Sequence, residues 1–384
     1  MAHSLSLCIL GQSPHQLWGH SLTGRLLRQF SRAGCSTVLE ESKLSSARGA
    51  VILVRADAVL DMPLIYTLCN SPGLLLLSGD PDPDKPLAAH VMAERVGEMA
   101  SVLRGDTPAT AMTGMSVNRP DQLEDRYWQA LRKREIPYAF RYDPSRRDEI
   151  EWRSFMGTYK GATDLVTKHV WPRPAFWLTR LLAPTFITPN MVTAVSAIFT
   201  VLAFILFWQG NWVAGLICAW LMTYLDTVDG KLARTTLTAS KWGNVFDHGI
   251  DLVHPPFWYW AWGMGLATTA HPLDSATLTL VLGVIIGGYV LQRLIEGAAI
   301  AWLGIEIHIW RPIDSLFRQV TARRNPNLIL LSLSVLFGRP DWGLVAVAVW
   351  TALCLVLHGL QFLQAAMIRR RGGKLQSWLA KPGP

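Results

Sequence analysis

Four carboxylates, spaced in threes and fours, lie between Asp226 and Asp251 in the stretch DTVDGKLARTTLTASKWGNVFDHGID. Asp226, Asp229, Gly230 and Ala233 recur at offsets of three, four and seven, so on a helix they share one face. Gly243, Asp247 and Asp251 recur at offsets of four and share a face of a second helix. Two such helices set face to face would gather all four carboxylates, with small residues beside them. Carboxylate oxygens are the ligands that hard divalent cations take. Two such ions about 4 Å apart can clamp a phosphate and activate an attacking hydroxyl. Read only as solvated acidic faces of amphipathic helices, these residues would be costly here, because the flanking segments are apolar enough for a membrane.

The pattern Asp226-x2-Asp229-Gly230-x2-Ala233-Arg234-x8-Gly243-x3-Asp247-x3-Asp251 resembles, at all eight fixed positions, the signature of the CDP-alcohol phosphatidyltransferase family. The resemblance covers about residues 150–370. It implies transfer of a phosphate-linked group from a CDP-activated donor, CDP-diacylglycerol or a CDP-polyol, to the hydroxyl of an acceptor alcohol, releasing CMP. It implies that Asp226, Asp229, Asp247 and Asp251 hold two Mg²⁺ or Mn²⁺ ions, and that Asp251 takes the proton of the acceptor hydroxyl. Gly230, Ala233 and Gly243 would leave room for the nucleotide. Arg234 would either touch its phosphates or lock the two helices together. In relatives, basic residues ahead of the fifth span bind the phosphate or polar head of the acceptor, and Arg323 and Arg324 stand at that position. Homodimerisation is also expected. His248, which the signature does not fix, is read as a bystander.

Elements must position these groups. Six apolar segments, 191–208, 212–225, 252–269, 276–301, 328–337 and 343–366, predict an all-α bundle of six transmembrane helices. The second and fifth fall short of the ~20 residues needed to span and would be completed by polar flanks shielded inside the bundle. Basic residues crowd one side: Arg180, Lys231, Arg234, Lys241, Arg311, Arg318, Arg323, Arg324, Arg369, Arg370, Arg371 and Lys374. The opposite turns carry Arg339 alone. The positive-inside rule then puts both termini and the carboxylates on the cytoplasmic side. Arg293 and Glu296, three residues apart in the fourth span, read as an internal ion pair.

Composition agrees: of 384 residues half are hydrophobic and 17 are Trp, which suits a multi-pass membrane protein with interface aromatics. The net charge of +8 then points to anionic lipid surfaces rather than nucleic acid. Five cysteines without CxxC or Cys/His spacing read as free thiols. No secretory leader is legible at residue 1.

Ahead of the membrane part, residues 1–118 predict a small cytosolic α/β domain with a trailing linker from 105. Strands are expected near 5–10, 51–54 and 74–77, and helices near 22–33 and 93–103. The layout resembles a shrunken form of the nucleotidyltransferase domain that some family members carry here. It lacks the Gly-rich loop and lysine that cradle a nucleoside triphosphate, so catalytic silence is expected, with Asp57 and Asp61 as ordinary loop carboxylates. Residues 119–186 predict two polar helices, 120–135 and 145–168, and an interfacial helix over 174–186. Asp164 and Ile187-Thr188-Pro189-Asn190-x2-Thr193 resemble the juxtamembrane entry of the archaeal inositol-phosphate-transferring members. There Lys160 and Arg173 would at least attract headgroups. Residues 187–370 form the transferase domain and 371–384 a basic tail. Two other classes stay open: a scaffold on a retired enzyme fold, and a cation transporter using the paired carboxylates.

Overall fold

The computed structural model of the chain describes residues 5–111, 113–123 and 127–380, except the side chains of Ala111, Lys241, Asn244 and Asp247. The chain divides into two compact units. The first comprises Met1–Tyr159, Arg180–Phe186 and Arg234–Thr238; the second comprises Lys160–Thr179, Ile187–Ala233 and Ala239–Pro384.

In the first unit a six-stranded sheet is built from β1 (Leu5–Leu10), β2 (Thr37–Val38), β3 (Ala50–Arg55), β4 (Leu74–Leu77), β5 (Pro86–Met92) and β6 (Ser116–Asn118), in the order β2-β1-β3-β5-β4-β6. Strands β2, β1 and β3 run parallel, and β5 pairs antiparallel with both neighbours. Side chains alternate faces along each strand. Leu7, Ile52 and Leu76 pack under helices α1 (Leu22–Arg32) and α2 (Met62–Asn70), against Leu26, Phe30, Leu64 and Leu68. Cys8, Leu53 and Leu75 face α3 (Val96–Arg104), against Val96, Met99 and Leu103. Both faces are covered, which accounts for the near-continuous apolar strands. Ser21 caps α1, its Oγ accepting from Gly24 N–H at 3.1 Å. Helix α4 (Arg147–Gly157) completes the unit.

Four details depart from the sequence reading. The described residues of 120–135 form no α-helix; one short 3₁₀ turn, Pro120–Gln122, precedes the paired strands Tyr127–Trp128 and Lys133–Arg134, a second, Gln129–Leu131, lies between them, and Arg132 at φ 49° reverses the chain. The helix expected over 145–168 is two, α4 and α5 (Leu165–His169), because the chain unwinds after Gly157 and Asp164 caps a new start. The linker contributes β6. β5 was not expected.

The second unit holds α6 (Pro172–Leu182, which ends in the first), α7 (Pro189–Trp208), α8 (Trp212–Thr235, whose last turn belongs to the first), α9 (Lys241–Gly265), α10 (Ser275–Ala298), α11 (Pro312–Phe317), α12 (Arg324–Leu336) and α13 (Pro340–Arg370). Thr188 caps α7 and Pro189 opens it, as the Thr-Pro-Asn sequence dictates. Phe207, Trp258, Trp262, Leu328, Leu344 and Val347 make the shared core. Among the described residues three segments are long and apolar enough to cross a membrane: Pro189–Trp208, Ser275–Leu303 and Pro340–Arg370. Helices α8 and α9 carry the motif's charges, and α12, with 13 residues, is shorter than the ~20 a lone span requires.

Candidate active site

Helices α8 and α9 present the two halves of the motif. Asp226 and Asp229 stand one turn apart on α8, and Asp251 stands on α9. Asp247 lies one turn before Asp251 in α9, with its side chain outside those described. Ser240 caps α9 by accepting from Gly243 N–H at 3.0 Å, which starts the second half in register.

Asp229 is 3 % exposed. Its Oδ2 accepts from Thr193 Oγ1 at 2.5 Å, and its Oδ1 is buried without a hydrogen-bond partner among the described groups. Thr193 is the last fixed residue of the Thr188-Pro189-Asn190-x2-Thr193 entry, so the opening turns of α7 reach the carboxylates. Asp226 and Asp251 are joined by Arg324, the first residue of α12. Its Nη2 donates to Asp226 Oδ2 at 2.6 Å and its Nη1 donates to Asp251 Oδ1. Asp229 lies within electrostatic range of both.

A guanidinium here shows what the geometry wants: positive charge between carboxylates of α8 and α9. The buried, unpartnered Asp229 oxygen is a second mark of a cation site, since an acceptor left unmet inside a protein costs about 1–3 kcal/mol. The donor set is all oxygen, which suits Mg²⁺ or Mn²⁺.

Gly230 follows Asp229 on α8, and Ala233 is half-buried one turn on. The room at Gly243 has a specific neighbour: a Cβ there would stand 2.7 Å from Asn190 Oδ1. Arg234 is half-buried in the last turn of α8, in the segment that belongs to the first unit. Asp164 caps α5, accepting from Thr167 N–H at 3.0 Å and from Asn325 Nδ2 at 2.9 Å.

Arg323 and Arg324 part company. Arg323 is the extended N-cap of α12, and its Nη2 donates to both oxygens of Glu296 at 2.6 Å. Glu296 also accepts from Arg293 at 2.9 Å, so the expected ion pair exists inside a larger cluster. His308 Nε2 lies 3.0 Å from Glu296 Oε1 and 3.0 Å from Arg323 Nη2. The His358 ring stacks edge-on at 5.1 Å from His308. Nitrogens of Arg293, Arg318, Arg323, His308 and His358 are buried without a hydrogen-bond partner among the described groups. Burial holds the pKa of His308 and of Arg318 well below their ordinary values.

Ligand atoms of Glu296, His308 and His358 lie within 4.8 Å of one another, close enough for a metal. Two guanidinium groups pair with the one Glu296 carboxylate and a third, Arg318, lies in electrostatic range of it and of Asp164, a surplus of positive charge that favours an anion. Sequence reasoning missed Arg318, His308 and His358 as a group; only Arg293 and Glu296 carried a spacing signal.

The sequence comparisons bear on the same region. Residues 186–320 match the model of the CDP-alcohol phosphatidyltransferase family. The archaetidylinositol phosphate synthase of Pyrococcus horikoshii is 39 % identical over 80 residues, 21 % of this chain and 42 % of that protein. An uncharacterized CDP-alcohol phosphatidyltransferase class-I family protein of Schizosaccharomyces pombe is 30 % identical over 99 residues, 21 % of this chain and 25 % of that protein. The chain thus spans less than half the length of these relatives. With the three apolar helices, the family match identifies a membrane protein of helical type.

Proposed function

On the premise that residues 186–320 are a CDP-alcohol phosphatidyltransferase domain, we propose that the protein transfers a phosphate-linked group from a CDP-activated donor to an acceptor hydroxyl. CMP leaves, and the product is a phospholipid or polyol phosphodiester. The observation that carries this reading is the gathering of Asp226 and Asp251 from two helices around a cationic group, with Asp229 in electrostatic range and one of its buried oxygens unmet among the described groups.

Asp226, Asp229, Asp247 and Asp251 would hold two Mg²⁺ or Mn²⁺ ions. When bound, such ions neutralise a pyrophosphate and stabilise the departing CMP. Asp251 accepts the proton of the acceptor hydroxyl. Thr193 fixes the rotamer of Asp229. Arg324 holds Asp226 and Asp251 at a common point and so keeps α8 and α9 in register.

The acceptor is phosphorylated. Arg293, Arg318 and Arg323, with His308 and His358, supply buried donors in excess of the single Glu296 carboxylate. A phosphate would accept from them by charge-assisted bonds of roughly 1.5–3 kcal/mol each. The Pyrococcus relative is named for a product containing inositol phosphate, which supports an inositol phosphate as the first acceptor to try. The six apolar helices all span, the carboxylates open to the cytoplasm, the protein pairs as a homodimer, and the α/β unit turns over no nucleotide.

The test is a screen of CDP-activated donors against phosphorylated and free polyols, with purified protein in detergent, scored by CMP release and product mass. Release must require Mg²⁺ or Mn²⁺ and vanish in folded Asp229→Asn and Asp247→Asn proteins. Full activity in either variant, or in excess EDTA, would overturn the mechanism. Cation flux into liposomes without CMP release would instead favour a transporter.

A further inference from the structure

The first unit includes a five-residue piece of the motif region, Arg234–Thr238. Thr235 is the last residue of α8, and only 236–240 separate it from the start of α9. A helix C-terminus leaves carbonyls without partners and carries the negative end of the dipole, so it calls for donors. Helices commonly close with a left-handed residue, and basic side chains of the last turn, such as Arg234 in α8, add to it. Three further donors come from some 200 residues upstream. Arg25 Nη1 donates to Thr235 O at 2.5 Å, Arg28 Nη1 to Thr236 O at 3.4 Å, and Arg32 Nη2 to Leu237 O at 2.7 Å.

The match is a register. Residues 25, 28 and 32 recur on one face of α1 at offsets of three and seven, and they meet three consecutive carbonyls. Arg25 is 6 % exposed, and burial lowers its pKa to about 10, which leaves it charged at neutral pH. Leu237 adopts φ +58°, a left-handed conformation that a non-glycine residue keeps only where its surroundings hold it. Thr235, Thr236 and Leu237 are all buried.

We propose that Arg25, Arg28 and Arg32 are positioning residues for the carboxylate site: they fix the turn between the two motif halves, and through it the setting of Asp226 and Asp229 against Asp247 and Asp251. The α/β unit then has work that needs no catalysis. The coupling runs along the backbone of α8, where Asp229 lies six residues before Thr235. The inference rests on the metal-site reading above.

The test measures Mn²⁺ binding to the full-length protein in detergent by electron paramagnetic resonance, with melting temperatures recorded alongside. Arg25→Ala and Arg32→Ala are each expected to weaken Mn²⁺ binding by about tenfold, the scale on which lost outer partners of metal ligands act. Arg25→Lys should recover part of the loss. Arg48→Ala, an exposed arginine of the same unit, should leave binding unchanged. If Arg25→Ala does not fold, Arg32→Ala decides. Folded alanine variants that bind Mn²⁺ as wild type does, or an equal loss in Arg48→Ala, overturn the clamp. No Mn²⁺ binding by the wild type overturns the metal reading itself.

Discussion

Arg324 donates to Asp251 on α9 and, with its other amino group, to Asp226 on α8. One planar fork thereby ties the last carboxylate of the motif to the first. Arg324 opens α12, where the positive end of the helix dipole disfavours a cation. Two carboxylates more than offset that. Removing Arg324 would leave two neighbouring carboxylates facing each other with no positive charge between them. A lysine supplies a point charge and cannot bridge both carboxylates in the same way. Arg324→Ala should therefore lower kcat by about tenfold to a hundredfold with little change in acceptor KM, and Arg324→Lys should restore it only in part. Steady-state kinetics decide. An unchanged kcat with a raised acceptor KM would move Arg324 to the acceptor pocket.

Arg323 predicts the opposite split. It faces Glu296, beside Arg293 and His308, away from the carboxylates that its neighbour holds. Arg323→Ala and Arg318→Ala should raise the KM of a phosphorylated acceptor about tenfold or more, at about 1.4 kcal/mol per tenfold, and spare the KM of the CDP donor. An uncharged acceptor should be indifferent to both. Wild-type acceptor KM in both variants would leave the cluster as a structural device only.

Why the two arginines diverge also shows what the sequence could reveal. The carboxylate motif was legible because helix periodicity fixes which residues share a face, and α8 and α9 do carry it. Thr193 was legible as part of the entry motif. The contrast between Arg323 and Arg324 was not, since a helix N-cap is extended while the next residue is helical, and adjacent side chains then leave in different directions. Convergence of His308 and His358 on Glu296, with Arg318 in electrostatic range, depends on the packing of α10, α13 and the connection before α12, which no local pattern encodes. In the first unit β5 was hidden because PLAAHVM is buried along almost its whole length and has no alternation to read. The segment 120–135 misled through polar residues without apolar period.

Topology has a direct measurement. Trp342 is exposed near the start of α13, and its ring stands 4.1 Å from the Arg339 guanidinium. Lys374 is exposed beyond the other end. In a background lacking exposed native thiols, Trp342→Cys should react with an impermeant maleimide from outside intact cells, and Lys374→Cys only after permeabilisation. The reverse pattern would invert the orientation that loop charge implies.

Acid should loosen the first unit through Asp57. Its carboxylate accepts from Arg55 Nε at 2.8 Å and from Arg141 Nε at 2.8 Å. Burial alone would push its pKa up, but the two guanidinium groups outweigh that and hold it below the ordinary value. A carboxylate depressed in the folded state adds stability that is fully present above its unfolded pKa of about 3.9 and is lost as pH falls through the folded value. Asp57→Asn should therefore weaken hydrogen-exchange protection of β3 and of the Ala139–Arg141 strand at pH 7, measured on the full-length protein. Between pH 4 and pH 2 the gap between wild type and variant should close, because the wild type loses the charge that the variant never had. A gap that stays constant across that range would mean that Asp57 acts by shape and hydrogen bonding alone.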